Sequence, residues 1–218
     1  AKNSVLPVLA ATLLCEGESY IHNCPQLSDV ETSLKILSHL GCKCVKEDDT
    51  VTVSVSKPEN SDIPDDLMRE MRSSVVFLGA ILGRCGEATI SSPGGCELGP
   101  RPIDLHISSL QKLGAVVKEE GGLLKFTAPR GLSGTEITLS FPSVGATENI
   151  IMAASLAEGI TTIENAAAEP EITNLADQNV ITTLDLNKND WQVIKIKLSD
   201  MKPTLLVLAA GMGSRYGG

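Results

Sequence analysis

The sequence predicts an α/β fold built from a repeated unit of helix, strand, helix and strand pair, with the third copy incomplete. Glycines at 17, 86 and 159 each close an apolar, helix-like run, at Leu14-Cys15-Glu16-Gly17, Gly83-Arg84-Cys85-Gly86 and Leu156-Ala157-Glu158-Gly159. Four residues after each glycine stands an isoleucine, Ile21, Ile90 and Ile163. Each copy therefore reads as helix, glycine cap and short strand, at a period of roughly 70 residues. Two of the copies then reach a second Leu-Gly, at Leu40-Gly41 and Leu113-Gly114.

Taken in order, the first unit continues with Ser28-Asp29-Val30-Glu31, the spacing of a capping box. Val30, Leu34, Leu37 and Leu40 share one face of the next helix, which stops at Gly41. Val51-Thr52-Val53-Ser54-Val55 alternates as a strand. The second unit repeats the plan with Ile107, Leu110 and Leu113, a stop at Gly114, and an alternating Leu123-Leu124-Lys125-Phe126-Thr127. In the third unit a closing Leu-Gly is expected near residues 183 to 187. Thr183-Leu184-Asp185-Leu186-Asn187 stands there instead, and no glycine occurs from Ile160 to Ala210. A break is thus expected after about Ile172, with residues 173–200 a linker-like segment in which Trp191 to Leu198 alternates as a strand.

With 218 residues, the chain can form one full domain and part of another. It is 42% hydrophobic but only 3% aromatic, so its core must be aliphatic. No stretch approaches the roughly 20 apolar residues of a membrane span, and no signal segment opens the sequence, so the expected location is cytoplasmic. A net charge of −9 without a basic stripe or an aromatic platform argues against nucleic acid as a partner. An anionic ligand would need a local cationic cluster, for which Lys2, Arg72 and Arg101 are candidates. Cys15, Cys24, Cys42, Cys44, Cys85 and Cys96 lack Cys-x-x-Cys spacing, which favours reduced thiols over disulfides or zinc. The three histidines are far apart in sequence, so neither a metal nor a cofactor is expected.

One loop carries most of the chemistry. In Pro93-Gly94-Gly95-Cys96-Glu97-Leu98-Gly99-Pro100-Arg101-Pro102-Ile103-Asp104-Leu105-His106, a lone cysteine sits among glycines five residues before an arginine. Glycines let backbone approach a ligand closely, and a nearby guanidinium both holds an anion and lowers a thiol pKa. Cysteine is also common core filler, and residue chemistry alone leaves both readings open.

The wording of this loop resembles the catalytic loop of the UDP-N-acetylglucosamine enolpyruvyl transferases (UDP-N-acetylglucosamine 1-carboxyvinyltransferases). Further segments match in order: Ala1-Lys2-Asn3-Ser4-Val5-Leu6-Pro7, Met71-Arg72-Ser73-Ser74 and Phe141-Pro142-Ser143-Val144-Gly145-Ala146-Thr147-Glu148-Asn149. The similarity continues through Glu164-Asn165-Ala166-Ala167 to Glu169-Pro170-Glu171-Ile172. The resemblance implies an inside-out α/β barrel domain over residues 1–172, with helices inside and sheets outside. It also implies transfer of the enolpyruvyl group of phosphoenolpyruvate to the 3′-hydroxyl of UDP-N-acetylglucosamine, with release of phosphate. Enolpyruvylshikimate phosphate synthase shares the fold, but the Cys96 loop and the uridine run point away from it.

Residue roles come from the same resemblance. Cys96 matches the proton donor and the residue alkylated by fosfomycin. Lys2 and Arg101 match cationic groups on phosphoenolpyruvate, with Asn3 beside them, and Arg72 matches a sugar-nucleotide site residue. Arg101, Pro102, Ile103, Asp104 and Leu105 match the uridine-binding run, and Ser143, Val144 and Gly145 match the segment against the diphosphate. Phe141 stands where some members have a lysine. The family's general base lies in a second domain that these residues do not include, so the chain carries half an active site.

From Met201 the text changes again. Leu205-Leu206-Val207-Leu208-Ala209-Ala210-Gly211-Met212-Gly213-Ser214-Arg215 resembles the opening strand and glycine-rich loop of sugar-nucleotide nucleotidyltransferases. It lacks the Gly-Lys-Ser/Thr of a Walker loop. An ordinary strand and turn would read the same way. A nucleotidyltransferase fragment and a noncatalytic fragment are thus the alternatives to the transferase.

Overall fold

Three helices of this chain have little polar surface to turn outward. They are α1 (Lys2–Ala11), α4 (Phe77–Cys85) and α6 (Val144–Ala154), composed largely of small and aliphatic residues. A helix of that kind is stable only when covered on every side. Residues 4–11, 77–82 and 146–154 are all buried in the computed structural model. The structure describes residues 2–71, 73–91, 103–169, 172, 183–185 and 193–197; at 2, 3, 183–185 and 193–197 the description is of the backbone. Among the described residues, Phe77 and Phe126 are the aromatic members of an otherwise aliphatic core. Each large aliphatic side chain buried there stabilises the fold by roughly 2 kcal/mol. No helix among the described residues is long and apolar enough to cross a membrane.

The sheets lie outside these helices. β1 (Gly17–Ile21), β2 (Lys43–Glu47) and β3 (Thr50–Val55) form the first, in the order β1-β3-β2. β4 (Glu87–Ser91), β5 (Val116–Glu120) and β6 (Leu123–Thr127) form the second, in the order β4-β6-β5. All pairings are antiparallel, and the register is the same in both: Gly17 faces Val55 and Ile21 faces Val51, while Glu87 faces Thr127 and Ile90 faces Leu124. Alternation decides which side is dry. Ile21, Val51, Val53, Ile90, Leu124 and Phe126 point inward and are buried, whereas Tyr20, Val45 and Val116 on the other face are exposed.

The repeat seen in the sequence is present in the backbone. Gly17, Gly86 and Gly159 have φ of 100°, 74° and 93°, a left-handed turn that a side chain would strain. The isoleucines four residues later are all buried. The second helices, α2 (Ser28–His39) and α5 (Asp104–Lys112), are amphipathic and end at Gly41 and Gly114. One detail differs from expectation. The helix start at Ser28 carries no capping box: Leu27 is the N-cap, and its carbonyl accepts the N–H groups of Val30 and Glu31. The Glu31 carboxylate instead meets Lys46 Nζ at 2.5 Å, so the ion pair with β2 replaces the reach back to the helix start.

In the third unit, β8 (Ile160–Glu164) pairs with β10 (Val193–Lys197), which pairs with β9 (Thr183–Asp185). The order β8-β10-β9 repeats that of the other two sheets, so strand pairing continues past the break read at Ile172. The alternation of Trp191 to Leu198 is the sequence feature that matches β10. At the position corresponding to α2 and α5, between β8 and β9, Ile172 is helical and buried; residues 173–182 and the whole of 201–218 lie outside the described residues. A short strand, β7 (Glu136–Thr138), adds to β8 in parallel, just as the chain at Asp62 bridges in parallel to Thr89 ahead of α3 (Asp65–Glu70). The first and second units therefore each lean on the sheet of the unit that follows.

Candidate functional site

The site begins with the way α4 and α6 meet. A Cβ on Gly79 would fall 2.8 Å from the Asn149 Cα and closer still to its carbonyl oxygen, and one on Gly83 would fall 3.4 Å from Ala153 Cα. These contacts advance together along both helices, so α4 and α6 run parallel and in near backbone contact. Their N-termini lie at one end of the domain. α1 and the 3₁₀ turn after it also pack on α4, and α1 touches the Ser74–Val76 turn ahead of α4. A helix N-terminus presents N–H groups without intrahelical partners and a positive dipole, a setting suited to anions.

The α4–α6 contact is polar at its centre. The Gly79 N–H donates to Asn149 Oδ1, which fixes the orientation of the amide. Asn149 Nδ2 then faces the Val75 carbonyl at 3.0 Å, the Gly145 carbonyl at 3.2 Å and His106 Nδ1 at 3.0 Å. His106 belongs to the first turn of α5 and is buried, and burial pushes its imidazole pKa down to about 4. The ring is neutral near pH 7. Asn149 Nδ2 has two hydrogens to share among these three acceptors and cannot itself accept, so the hydrogen-bond pattern assigns the Nε2–H tautomer, with Nδ1 as the acceptor. A Cβ on Gly145 would come within 3.3 Å of His106 Cε1, so the first turns of α5 and α6 touch.

This contact brings together two of the sequence-predicted runs. Ile103 is the N-cap of α5 and is buried, Asp104 opens the helix and is exposed, and Leu105 is half-buried. Ser143 caps α6, its Oγ accepting the Ala146 N–H at 3.4 Å, and Val144 and Gly145 form the first turn. Thr147 reinforces that turn, donating to the Ser143 carbonyl at 2.7 Å and accepting the Ala167 N–H at 3.1 Å. Phe141, just ahead of the cap, is 57% exposed. Lys2 and Asn3 lie in the backbone of the first turn of α1, with side chains outside the described residues. Arg72, Cys96, Arg101 and Pro102 lie outside the described residues entirely. The cysteine loop is flanked by Ser91, the last residue of β4, and by Ile103 at the α5 cap.

His106 and Asn149 are not legible in the sequence as site residues. The signal Asn149 does carry is a polar amide in the middle of an otherwise buried run, since buried polar groups require partners, whereas His106 lies on an amphipathic helix between half-buried neighbours.

Comparison with known proteins gives a consistent result. The family model described as EPSP synthase (3-phosphoshikimate 1-carboxyvinyltransferase) matches residues 1–187, past the end of the resemblance read at Ile172. A UDP-N-acetylglucosamine 1-carboxyvinyltransferase 2 of Caldanaerobacter subterraneus subsp. tengcongensis is 52% identical over 184 residues, 84% of this chain and 43% of the relative. A UDP-N-acetylglucosamine 1-carboxyvinyltransferase 1 of Symbiobacterium thermophilum is 49% identical over 180 residues, 80% of this chain and 41% of the relative. The chain thus spans less than half the length of these relatives. Among solved structures, the enolpyruvyl transferase NikO from Streptomyces tendae aligns with a TM-score of 0.74 at 20% identity, over 88% of this chain and 46% of that one. An EPSP synthase from Acinetobacter baumannii aligns with a TM-score of 0.68 at 15% identity, over 93% and 46%. At such identities these two speak for the fold alone, which is the inside-out α/β domain that the resemblance implies.

Proposed function

The chain belongs to the EPSP synthase (3-phosphoshikimate 1-carboxyvinyltransferase) family, and from that premise we propose that it forms the cysteine-bearing half of a UDP-N-acetylglucosamine 1-carboxyvinyltransferase. The observation that carries the reading is the 52% identity to a relative of that name over 184 residues. The adjoining first turns of α5 and α6 support it, because they bring the uridine run and the diphosphate segment side by side. The reaction is a cytoplasmic step of peptidoglycan synthesis and a target of fosfomycin.

In this reading UDP-N-acetylglucosamine lies along the N-terminal ends of α5 and α6. Arg101 to Leu105 hold the uridine, Ser143 to Gly145 hold the diphosphate, and Arg72 adds a cation to the sugar-nucleotide site. Phosphoenolpyruvate lies against Lys2 and Arg101, with Asn3 beside it. The sugar 3′-hydroxyl attacks C2 of phosphoenolpyruvate while Cys96 delivers a proton to C3, which gives a tetrahedral ketal. Loss of phosphate and of a C3 proton restores the double bond. The base that takes the hydroxyl proton comes from the other half of the enzyme. Residues 1–172 carry the resemblance to the transferase, β9 and β10 within 173–200 extend its third sheet, and the sequence of 201–218 resembles the opening of a nucleotidyltransferase.

Competitive thiol labelling tests the reading. Burial pushes up the thiol pKa of Cys24, Cys44 and Cys85, and that of Cys42 up to about 12, so all four should react slowly. Brief exposure to limiting fosfomycin or iodoacetamide, with peptide mass mapping afterwards, should mark Cys96 first, and Arg101→Ala should slow that labelling near neutral pH. Labelling of Cys42 or Cys85 ahead of Cys96 would remove the activated-thiol role.

A further inference from the structure

We propose that His106 is a positioning residue for sugar-nucleotide binding, which through Asn149 holds the first turn of α5 against the first turn of α6 and so sets the distance between the uridine and diphosphate subsites. The inference rests on the sugar-nucleotide reading above and concerns a residue to which that reading gives no role. Three observations carry it. Asn149 gathers two groups from the α4 region, Gly79 N–H and the Val75 carbonyl, with the Gly145 carbonyl of α6 itself. His106 Nδ1 is its link to α5, at 3.0 Å, and the one side chain in the set. On the other edge of the ring, Cε1 and Nε2 would lie 3.3 and 3.5 Å from a Cβ at Gly145, so the imidazole fills the space between the two turns as well as bonding across it.

The ring must stay neutral for this to work. A protonated imidazole would turn an N–H toward an Asn149 amide that already donates, and the other face of that amide is committed to Gly79. Burial in an apolar layer keeps the proton off. The alternative role is simple filling of a void, and the two roles part company on substitution. Phenylalanine keeps the ring volume and removes the acceptor. Asparagine leaves a void but puts Oδ1 where Nδ1 stood.

The test is calorimetric titration of the chain and of His106→Phe and His106→Asn with UDP, UMP and inorganic pyrophosphate, alongside thermal melting. Two subsites held in register give UDP an advantage over either fragment. The expected result for His106→Phe is a loss of about tenfold in UDP affinity, with UMP and pyrophosphate each within about twofold of the unmodified chain. His106→Asn should melt earlier, yet keep UDP affinity within about threefold. The imidazole ¹⁵N spectrum should show the proton on Nε2 at pH 6. The proposal is overturned if His106→Phe binds UDP like the unmodified chain, if its loss is shared equally by the fragments, if UDP affinity tracks melting temperature across the variants, or if Nδ1 carries the proton. Failure of the unmodified chain to bind UDP, UMP and pyrophosphate overturns the nucleotide reading and this inference with it, whereas normal binding that ignores His106 overturns the inference alone.

Discussion

The inner and outer helices of this domain solve different problems. α4 and α6 are buried on all sides and approach so closely that glycine is required at the crossing, whereas α2 carries an apolar stripe on one face and ion pairs on the other. The inner layer has little room for adjustment, because its neighbours are backbone. The outer layer faces water and long side chains that can move. Of the residues proposed to bind ligand, Ile103 to Leu105 and Ser143 to Gly145 stand at the N-terminal ends of α5 and α6, so that part of the site inherits the stiffness of the inner layer.

The strongest way to break this contrast is at Gly79. A Cβ there would lie 2.8 Å from the Asn149 Cα and nearer still to the Asn149 carbonyl oxygen, atoms that cannot swing aside. Gly79→Ala is expected to cost about 3 kcal/mol or more in urea unfolding, because the helices must separate and the buried Asn149 amide loses its partners. Gly83→Ala, one turn along the same helix, would meet Ala153 at 3.4 Å, an ordinary contact. There the gain in helix propensity, about 1 kcal/mol, offsets the tighter packing, so stability should stay within roughly 1 kcal/mol of the parent. Equal losses at the two positions would show that the inner crossing is not the rigid element described here.

A second prediction sharpens the contrast through pH. His106 is held near pKa 4, below the ordinary 6.5 of an unfolded histidine, because burial disfavours its charged form. As pH falls, the unfolded chain takes up this proton first. The contribution is therefore fully present above about pH 6.5, declines between there and pH 4, and amounts to about 3 kcal/mol. The exposed carboxylates of Glu18, Glu70 and Glu120, each lowered by a hydrogen bond from Tyr20, Lys35 or Lys125, also weaken the fold in acid. Subtracting the unfolding curve of His106→Phe from that of the parent isolates the histidine. A difference that does not change between pH 7 and pH 4.5 would mean that the imidazole is not desolvated.

Legibility in the sequence divides along the same line. The repeat can be read because its marks are local: a glycine where the backbone turns left-handed, and an isoleucine where a strand faces inward, as at Gly86 and Ile90. The strand pairs show themselves by alternation, at Val51–Val55 and Leu123–Phe126. Contacts between units are not legible. Nothing in the neighbourhood of Asn149 says that Gly79 lies beneath it or that His106 points at it, because those partners come from other units of the repeat. The Ser28 capping box fails through a contact inside its own unit: Lys46, from β2, is not adjacent in sequence, yet it reaches Glu31. The runs proposed for uridine and diphosphate are assigned by resemblance, and what the fold adds is the adjacency of the first turns of α5 and α6, at His106 and Gly145.

The smallest expected effect lies on the outer layer, and it fixes the scale for the others. Lys35 Nζ on α2 lies 2.9 Å from Glu70 Oε2 in α3, with the two side chains 57% and 44% exposed, and the same carboxylate accepts the Thr32 hydroxyl at 3.1 Å. Such a pair gains little in high dielectric and loses side-chain freedom, so Lys35→Ala should cost no more than about 0.5 kcal/mol, and 1 M salt should erase most of that cost. Lys35 is also far in character from the inner crossing, being replaceable by water. UDP affinity of the variant should therefore match the parent within error. A loss above about 1.5 kcal/mol, or a change in UDP affinity, would mean that the α2–α3 surface is coupled to the inner helices and that the division between a rigid inside and an adjustable outside is drawn in the wrong place.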